Sequence, residues 1–291
     1  MKFSLRQLQV FVTTARHENL SRAASELAMS QSAASASLAE LEQHYDMQLF
    51  DRIGKRLQLN AQGRWLRPRA EALLDQARAL DAGLCGATGG QLKVGATLTI
   101  GNYLAVPLVA RFMADNPGCQ VQLDVENTAE ISRKVREFEL DVGLIEGELN
   151  DPSLEVEHWC DDALTVFCAP DHPLATVASL DDQALAAAHW ILREPGSGTR
   201  QTFDRAMHGL LPGLQVALEL QHTEAIKRAV EAGLGLGCLS RVTLEEAFRR
   251  GSLVPLATPQ RDFSRSFYFI LHRQKYRTAT LDRWLDLCRR G

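Results

Sequence analysis

Three stretches of the chain place hydroxyl side chains where a strand pattern gives way to a helix pattern. They are Thr97-Leu98-Thr99-Ile100-Gly101-Asn102, Glu194-Pro195-Gly196-Ser197-Gly198-Thr199-Arg200 and His222-Thr223-Glu224. Open N–H groups and hydroxyls at helix N-termini together hold small anions, and the glycines beside Ser197 allow close backbone approach. The candidate effector-binding residues are therefore Thr97, Leu98, Thr99, Ile100, Ser197, Gly198, Thr199 and Thr223, with Glu146 facing the same cleft from the end of a strand. Simple N-capping accounts for any one hydroxyl; three converging on one cleft favour a ligand. Arg200 either neutralises an anion or pairs with Asp204 one helical turn on. Glu146 opposes an anion unless it is protonated or paired.

Catalytic chemistry finds less support. Gly196-Ser197-Gly198-Thr199 lacks the G-K-[ST] ending that a phosphate loop needs. Ser197 is not in a G-x-S-x-G elbow, and spacing places no His-Asp pair beside it. His158, His172, His189 and His222 lie at unrelated positions. The six cysteines at 85, 119, 160, 168, 238 and 288 include no C-x-x-C pair, so they read as reduced thiols rather than zinc ligands. The expectation is a protein that is not an enzyme and needs no metal or cofactor.

The elements that must position the hydroxyls alternate. Strands are expected at 92–97, 119–126 and 141–147, with helices at 101–115 and 128–139 between them, a βαβαβ run that indicates a mostly parallel sheet. A second unit is expected to begin with a strand at 164–170. It continues with strands 189–194, 216–221 and 235–240 and helices 199–208 and 224–232. Residues 263–272 return the chain, and a helix at 278–289 closes it. Two α/β subdomains crossed twice, near 161–163 and 262–267, place the strand ends and helix N-termini around one cleft.

The first third reads differently. Two short helical patterns meet at a turn around Ala28-Met29-Ser30. Ser21 and Ser30 are the candidate N-caps. Ala23, Ala24 and Leu27 line the inner face of one helix, and Ala34, Leu38 and Leu41 that of the other. Small residues at the crossing suit a helix-turn-helix. Gln31, Ser32 and Ser35 on the outer face of the second helix can meet base edges in a major groove. Leu49 to Leu59 reads as a hairpin wing with a Gly54 turn, whose Arg52, Lys55 and Arg56 suit a phosphate backbone. Residues 1–90 carry 11 Lys/Arg and 9 Asp/Glu, net +2, in a chain of net charge −4. Six cations and no anion occur from Arg52 to Arg69, which fits salt-dependent binding to nucleic acid.

Asn60 can cap a long helix from about 61 to 85. Leu66, Ala70, Leu73, Ala77, Leu80 and Leu84 follow the a/d spacing of a short coiled coil, with Pro68 as a candidate kink. Leu66, Leu73, Leu80 and Leu84 are the candidate dimerisation residues; packing on the helix's own domain is the alternative. A glycine-rich break spans 83–90. The N-terminus is too polar for a secretory segment, and no 18-residue apolar run occurs, so the protein is expected to be cytoplasmic, with no membrane partner.

Residues 5–15 (LRQLQVFVTTA), 21–35 (SRAASELAMSQSAAS), 41–52 (LEQHYDMQLFDR) and 59–63 (LNAQG) resemble the winged helix-turn-helix of the LysR-type transcriptional regulators. Ser32, Ala36 and Asn60 stand where many members carry Pro, Arg and Thr. The resemblance extends over essentially the whole chain. It implies an α/β protein with a winged helix-turn-helix at 1–60 and a linker helix at 61–86 that pairs DNA-binding domains. A two-subdomain, periplasmic-binding-protein-like (type 2) effector domain would follow at 87–291, with subdomain I at about 91–162 and 267–291 and subdomain II at about 163–266. The implied partners are double-stranded promoter DNA, a small anionic effector, further copies in a homodimer or homotetramer, and RNA polymerase. SQSAASASLAELE, LFDRIGKRLQLN, TIGNYL, WILREPGSGTR and EAIKRAVEAGLGLGCLSR are most similar to the sulfite-responsive YeiE-type branch. That branch implies a sulfur oxyanion as effector and control of sulfur or redox genes. Oxyanion-binding relatives use threonines at positions matching Thr97, Thr99 and Thr199. Phosphate or a small carboxylate satisfies the same donors, and a ligand-independent DNA binder would leave the cleft without use.

Overall fold

The computed structural model of the chain describes residues 2–54, 56–84, 90–147 and 149–290, the side chains of 82 and 83 excepted. Lys55 and most of the predicted break at 83–90 lie outside the described residues.

Helix α1 (Leu5–His17) opens with a capping box in which Ser4 accepts from Gln7 N and Gln7 returns the bond. Its Leu8, Phe11, Val12 and Ala15 meet Ala24, Ala34, Leu38 and Leu41 from α2 (Leu20–Glu26) and α3 (Gln31–His44) in one core. Ser30 caps α3 as expected. The cap of α2 is Asn19, not Ser21: Asn19 Oδ1 accepts from Arg22 N at 3.0 Å. Strands β1 (Phe50–Ile53) and β2 (Arg56–Leu59) pair antiparallel as the wing.

Helix α4 (Ala61–Leu84) runs through Pro68, and Asn60 caps it by accepting from Gly63 N at 2.9 Å. At 1.5 Å per residue it is about 36 Å long. The predicted apolar stripe does not share one surface. Leu66 and Ala70 pack into the N-terminal core beside Leu74, whereas Leu73, Leu80 and Leu84 are exposed. A polar stripe is buried instead: Arg67, Glu71 and Asp75, four residues apart. Arg67 pairs with Glu137, and Lys275 bridges Asp75 and Asp141 at 2.6 and 2.7 Å. Burial pushes the Glu71 carboxyl above the usual range.

Beyond α4, β3 (Gln91–Thr97) leads into α5 (Leu98–Ile100), a π-helical turn (Gly101–Ala105) and α6 (Val106–Asp115). Then come β4 (Gln120–Glu126), α7 (Thr128–Arg136), β5 (Val142–Glu146) and β6 (Leu154–Cys168). The second subdomain holds α8 (Asp182–Ala187), β7 (His189–Arg193), α9 (Gly198–Ala206), β8 (Gln215–Leu220), α10 (Thr223–Glu231), β9 (Leu236–Ser240), α11 (Arg241–Arg250) and β10 (Val254–Leu256). β11 (Ser264–His272) returns and α12 (Ala279–Arg290) closes the chain. Strands β4, β3 and β5 are parallel, as are β8, β7 and β9; β11 and β6 join the two sets into one sheet ordered β4-β3-β5-β11-β6-β9-β7-β8. The expected strand at 164–170 is thus the second half of β6, a 15-residue strand shared by both subdomains. Each subdomain has its own core, around Trp284 and Phe112 in the first and around Trp190 and Phe203 in the second.

Candidate functional site

The parallel strands set the floor of the cleft. Ala96 of β3 lies beside Leu144 of β5, so Thr97 and Glu146 sit at neighbouring carboxyl ends. In the second subdomain Arg193 of β7 lies beside Leu220 of β8, which puts Ser197 and Thr223 beyond one edge. The two edges meet at α9. A Cβ on Gly198 would stand 2.0 Å from Glu146 O, so only glycine lets this helix start against the end of β5.

Arg265 of β11 crosses between the subdomains. Its guanidinium pairs with Glu146, donates from Nε to Asp162 Oδ2 at 2.6 Å and from Nη1 to Thr199 Oγ1 at 3.0 Å. Thr199 donates in turn to Glu146 Oε2 at 3.3 Å, and Ser240 to Asp162 Oδ1 at 2.8 Å. The side chains of Arg265 and Glu146 are 1% and 2% exposed, so water does not screen this cluster. Glu146 is therefore a paired carboxylate.

Capping does not occupy the predicted hydroxyls. Thr97 and Ser197 stand at the N-cap positions of α5 and α9, yet neither makes a side-chain capping bond. Thr97 Oγ1, Ser197 Oγ and Thr223 Oγ1 are buried with no hydrogen-bond partner in the described structure, and so is Nη2 of Arg265. Buried donors without partners cost about 1–3 kcal/mol each, so four in one region mark it as built for something other than packing. Thr99 is buried and Leu98 half-buried. Ile100 packs its side chain into the first subdomain's core, leaving only its backbone to a ligand. Arg200 turns away to Asp204 and Glu219, at 2.9 and 2.8 Å, which settles it as a helix-surface pair.

A second bridge spans the cleft. Tyr103, on the π-helical turn, donates to Glu224 Oε1 at 2.6 Å and accepts from Lys227 Nζ at 3.2 Å, both on α10. Burial and the neighbouring Glu224 push the tyrosine hydroxyl up. Although burial opposes it, hydrogen bonds from Lys227 and Tyr103 hold the Glu224 carboxyl below its ordinary value.

Arg265, Asp162, Ser240 and Tyr103 were not among the residues expected from sequence. A signal for Arg265 was present: with Phe263, Phe267, Phe269 and Leu271 it occupies the inward, period-2 face of its strand. A cation on such a face requires a buried partner.

Among the described cysteines, burial pushes the thiols of Cys160 and Cys168 up to about 11 and that of Cys288 to about 12. They are protonated near neutrality, so thiolate chemistry is closed to them.

At the other end of the molecule Gln31, Ser32 and Ser35 are exposed along the N-terminal half of α3. Ser32 shares a 3.0 Å hydrogen bond with Ser30. Arg52 is exposed on β1, and Arg56, 74% exposed on β2, lies 3.7 Å from Glu18. These exposed side chains lie on one helix and one hairpin.

Residues 5–64 match the family described as bacterial regulatory helix-turn-helix protein, lysR family, and residues 86–291 match the LysR substrate binding domain. The chain is 43% identical over 288 residues to the uncharacterized HTH-type transcriptional regulator YeiE of Escherichia coli, covering 99% of this chain and 98% of that one. Among solved structures, a full-length OxyR variant from Pseudomonas aeruginosa has the same fold, with a TM-score of 0.75 at 23% identity over 99% of this chain and 95% of the other. The regulatory domain of CcmR from Synechocystis in complex with 2-PG gives a TM-score of 0.64 at 29% identity, covering 69% of this chain and 96% of that domain.

Proposed function

The chain belongs to the LysR family of helix-turn-helix transcriptional regulators, and on that premise we propose that its cleft takes a sulfur oxyanion, sulfite in its protonated form, as the effector controlling sulfur or redox genes. The observation that carries this reading is the group of buried polar atoms without partners, the hydroxyls of Thr97, Ser197 and Thr223 and Nη2 of Arg265, at the strand ends and helix starts that border the cleft. Their small number and short reach suit a compact ligand. Charge narrows the choice. Arg265 is outnumbered by Glu146 and Asp162, so a fully ionised dianion such as sulfate meets net negative charge. Hydrogensulfite carries one charge and a proton that Glu146 can accept, which turns a repulsion into a charge-assisted hydrogen bond. Likeness to the YeiE regulator over nearly the full length supports the same branch.

The DNA-binding half would place Gln31, Ser32 and Ser35 at base edges and Arg52, Lys55 and Arg56 at phosphates. Exposed Leu73, Leu80 and Leu84 on α4, Val106 and Met113 on α6, and Val216 and Leu218 on the edge strand β8 offer surfaces for further copies of the chain. Among the described residues no helix is long and apolar enough to cross a membrane. A second reading, a small carboxylate or phosphate-bearing effector, is favoured by the CcmR domain bound to 2-PG.

Thermal unfolding of the whole chain in sulfite, sulfate, thiosulfate, phosphate and small carboxylates tests the proposal. A ligand at about a hundred times its dissociation constant adds roughly 2.7 kcal/mol of stability. The expected result is a selective rise with sulfite that Thr199→Val abolishes while leaving DNA affinity intact. A rise with phosphate or a carboxylate alone discards the sulfur assignment, and a Thr199→Val response equal to wild type moves the site elsewhere.

A further inference from the structure

We infer that helix α7 carries the state of the cleft to the DNA-binding half of the molecule, with the Arg67–Glu137 pair as its grip on the linker helix. The inference rests on the cleft reading given above and adds the route by which that cleft is felt elsewhere.

The first turn of α7 holds both sides of the cleft. Thr128 Oγ1 donates to Glu146 O at 3.0 Å, in the first subdomain. Asn127, the N-cap, donates from Nδ2 to Glu194 Oε1 at 3.4 Å, and Ala129 N–H donates to Gly196 O at 3.3 Å, both in the second subdomain. Movement of the 194–198 loop relative to β5 therefore acts directly on this turn.

The other end of α7 lies nine residues, about 13 Å, away. There Glu137 takes the Arg67 guanidinium on its carboxylate and on its own backbone oxygen. Arg67 is 7% exposed and sits in α4 among the buried polar stripe. Glu137 and Glu139 also wall a cavity of about 590 Å³ whose opposite side is formed by Arg22 of α2 and Arg56 of the wing. One short helix thus touches the cleft at its start and the linker helix at its end, beside a cavity it shares with α2 and the wing.

The helix is seated closely on the sheet. Gly95 and Gly143 are partners across the parallel β3 and β5. A Cβ on either would stand 3.0 or 2.8 Å from Ile131 of α7. The two glycines let Ile131 pack down beside Val135, Ile145 and Ile270, and Lys134 pairs with Asp124 of β4 at 2.8 Å. Small sliding of a packed helix is a recognised form of conformational transmission, and a rigid element biased from both ends supplies the physical link that spatial proximity alone does not.

The test is amide hydrogen exchange on the full chain, without ligand. Thr128→Val removes the bond to Glu146 O and leaves Arg67 untouched. Exchange of the α4 amides at 67–75 is expected to change roughly 2- to 30-fold. In an Arg67→Gln background the same substitution is expected to leave those amides unaltered. Asn127→Ser, which keeps a cap but shortens the reach to Glu194, is the second cleft-end variant and carries the same expectation. Unchanged α4 exchange in both variants, or an equal change with and without Arg67, overturns the inference. A second arm uses sulfite: Arg67→Gln should keep the thermal stabilisation by sulfite and lose its effect on DNA affinity, and a retained effect on DNA overturns the route. If sulfite fails to stabilise even the wild-type chain, the effector assignment falls, and the ligand-free exchange still decides the role of α7.

Discussion

Replacing Arg265 by methionine removes the one cation from a buried cluster and leaves its shape largely filled. Glu146 and Asp162, 2% and 8% exposed in their side chains, then face each other without a counter-ion. Removing one partner of a buried ion pair costs about 3–5 kcal/mol, a large part of the 5–15 kcal/mol typical of a folded domain. With denaturant slopes of about 1–3 kcal/mol/M in urea, the unfolding midpoint should fall by roughly 1–5 M near neutral pH. Adding Glu146→Gln to Arg265→Met removes one stranded charge and should recover most of the loss. Urea unfolding of the wild type, Arg265→Met and the double variant measures both effects. A midpoint shift under about half a molar near neutrality, or a double variant no more stable than Arg265→Met, would refute the cluster as the electrostatic centre of the cleft.

His272 packs its ring 4.1 Å from Phe138 beside the α4 interface; burial, then the charge of Arg67, hold it down to about 4, from an ordinary 6.5. Its native state refuses a proton that the unfolded chain accepts, so stability is full above 6.5 and drains as pH falls from 6.5 towards 4. His272→Gln should flatten that slope in thermal unfolding between these values, and an unchanged slope assigns it to other groups. Gly198→Ala drives a Cβ into Glu146 O; the expected cost is about 1–3 kcal/mol, with loss of the effector response, and an unperturbed melting temperature would mean that α9 and β5 are free to separate. Arg52→Ala should lower affinity for every duplex and reduce the slope of log K against log salt by about one, whereas Gln31→Ala should relax preference at a single base pair by about 1–3 kcal/mol. Binding isotherms over a salt series and a set of mutated operators separate these two outcomes.

The parts of the fold legible in the sequence were those with local causes. Ser30 and Asn60 are capping residues beside clear helical patterns, and both cap as expected. The βαβαβ run at 91–146 alternates in period, and its parallel strands follow. The first half of β6 was not legible, because Leu154 and Val156 alternate with Glu155 and Glu157 only until His158 breaks the pattern. It forms as a strand because β11 pairs with it from Leu154 to Ala163, a partner over a hundred residues away. Ser21 lost the cap of α2 to Asn19 because both residues cap well and the helix starts two residues earlier than a cap at Ser21 requires.

The cleft divides in the same way. Its hydroxyls stood out because turn-and-helix chemistry is written within a few residues, but whether they cap or bind depends on where the helix begins, and the structure leaves them uncapped. Arg265, 66 residues from Thr199 and further from Glu146, has no local partner to announce it. What betrays it is a mismatch, a cation at an inward position of an apolar strand. The same logic applies to Arg67, Glu71 and Asp75, which share a helix face that an apolar count overlooks and that is buried against Glu137 and Lys275. In both places a polar residue on a buried face was the trace of a long-range ion pair. Such residues are where the two subdomains meet each other and where the linker meets the effector domain, because junctions between separately packed cores are where charge can be buried and still find a partner.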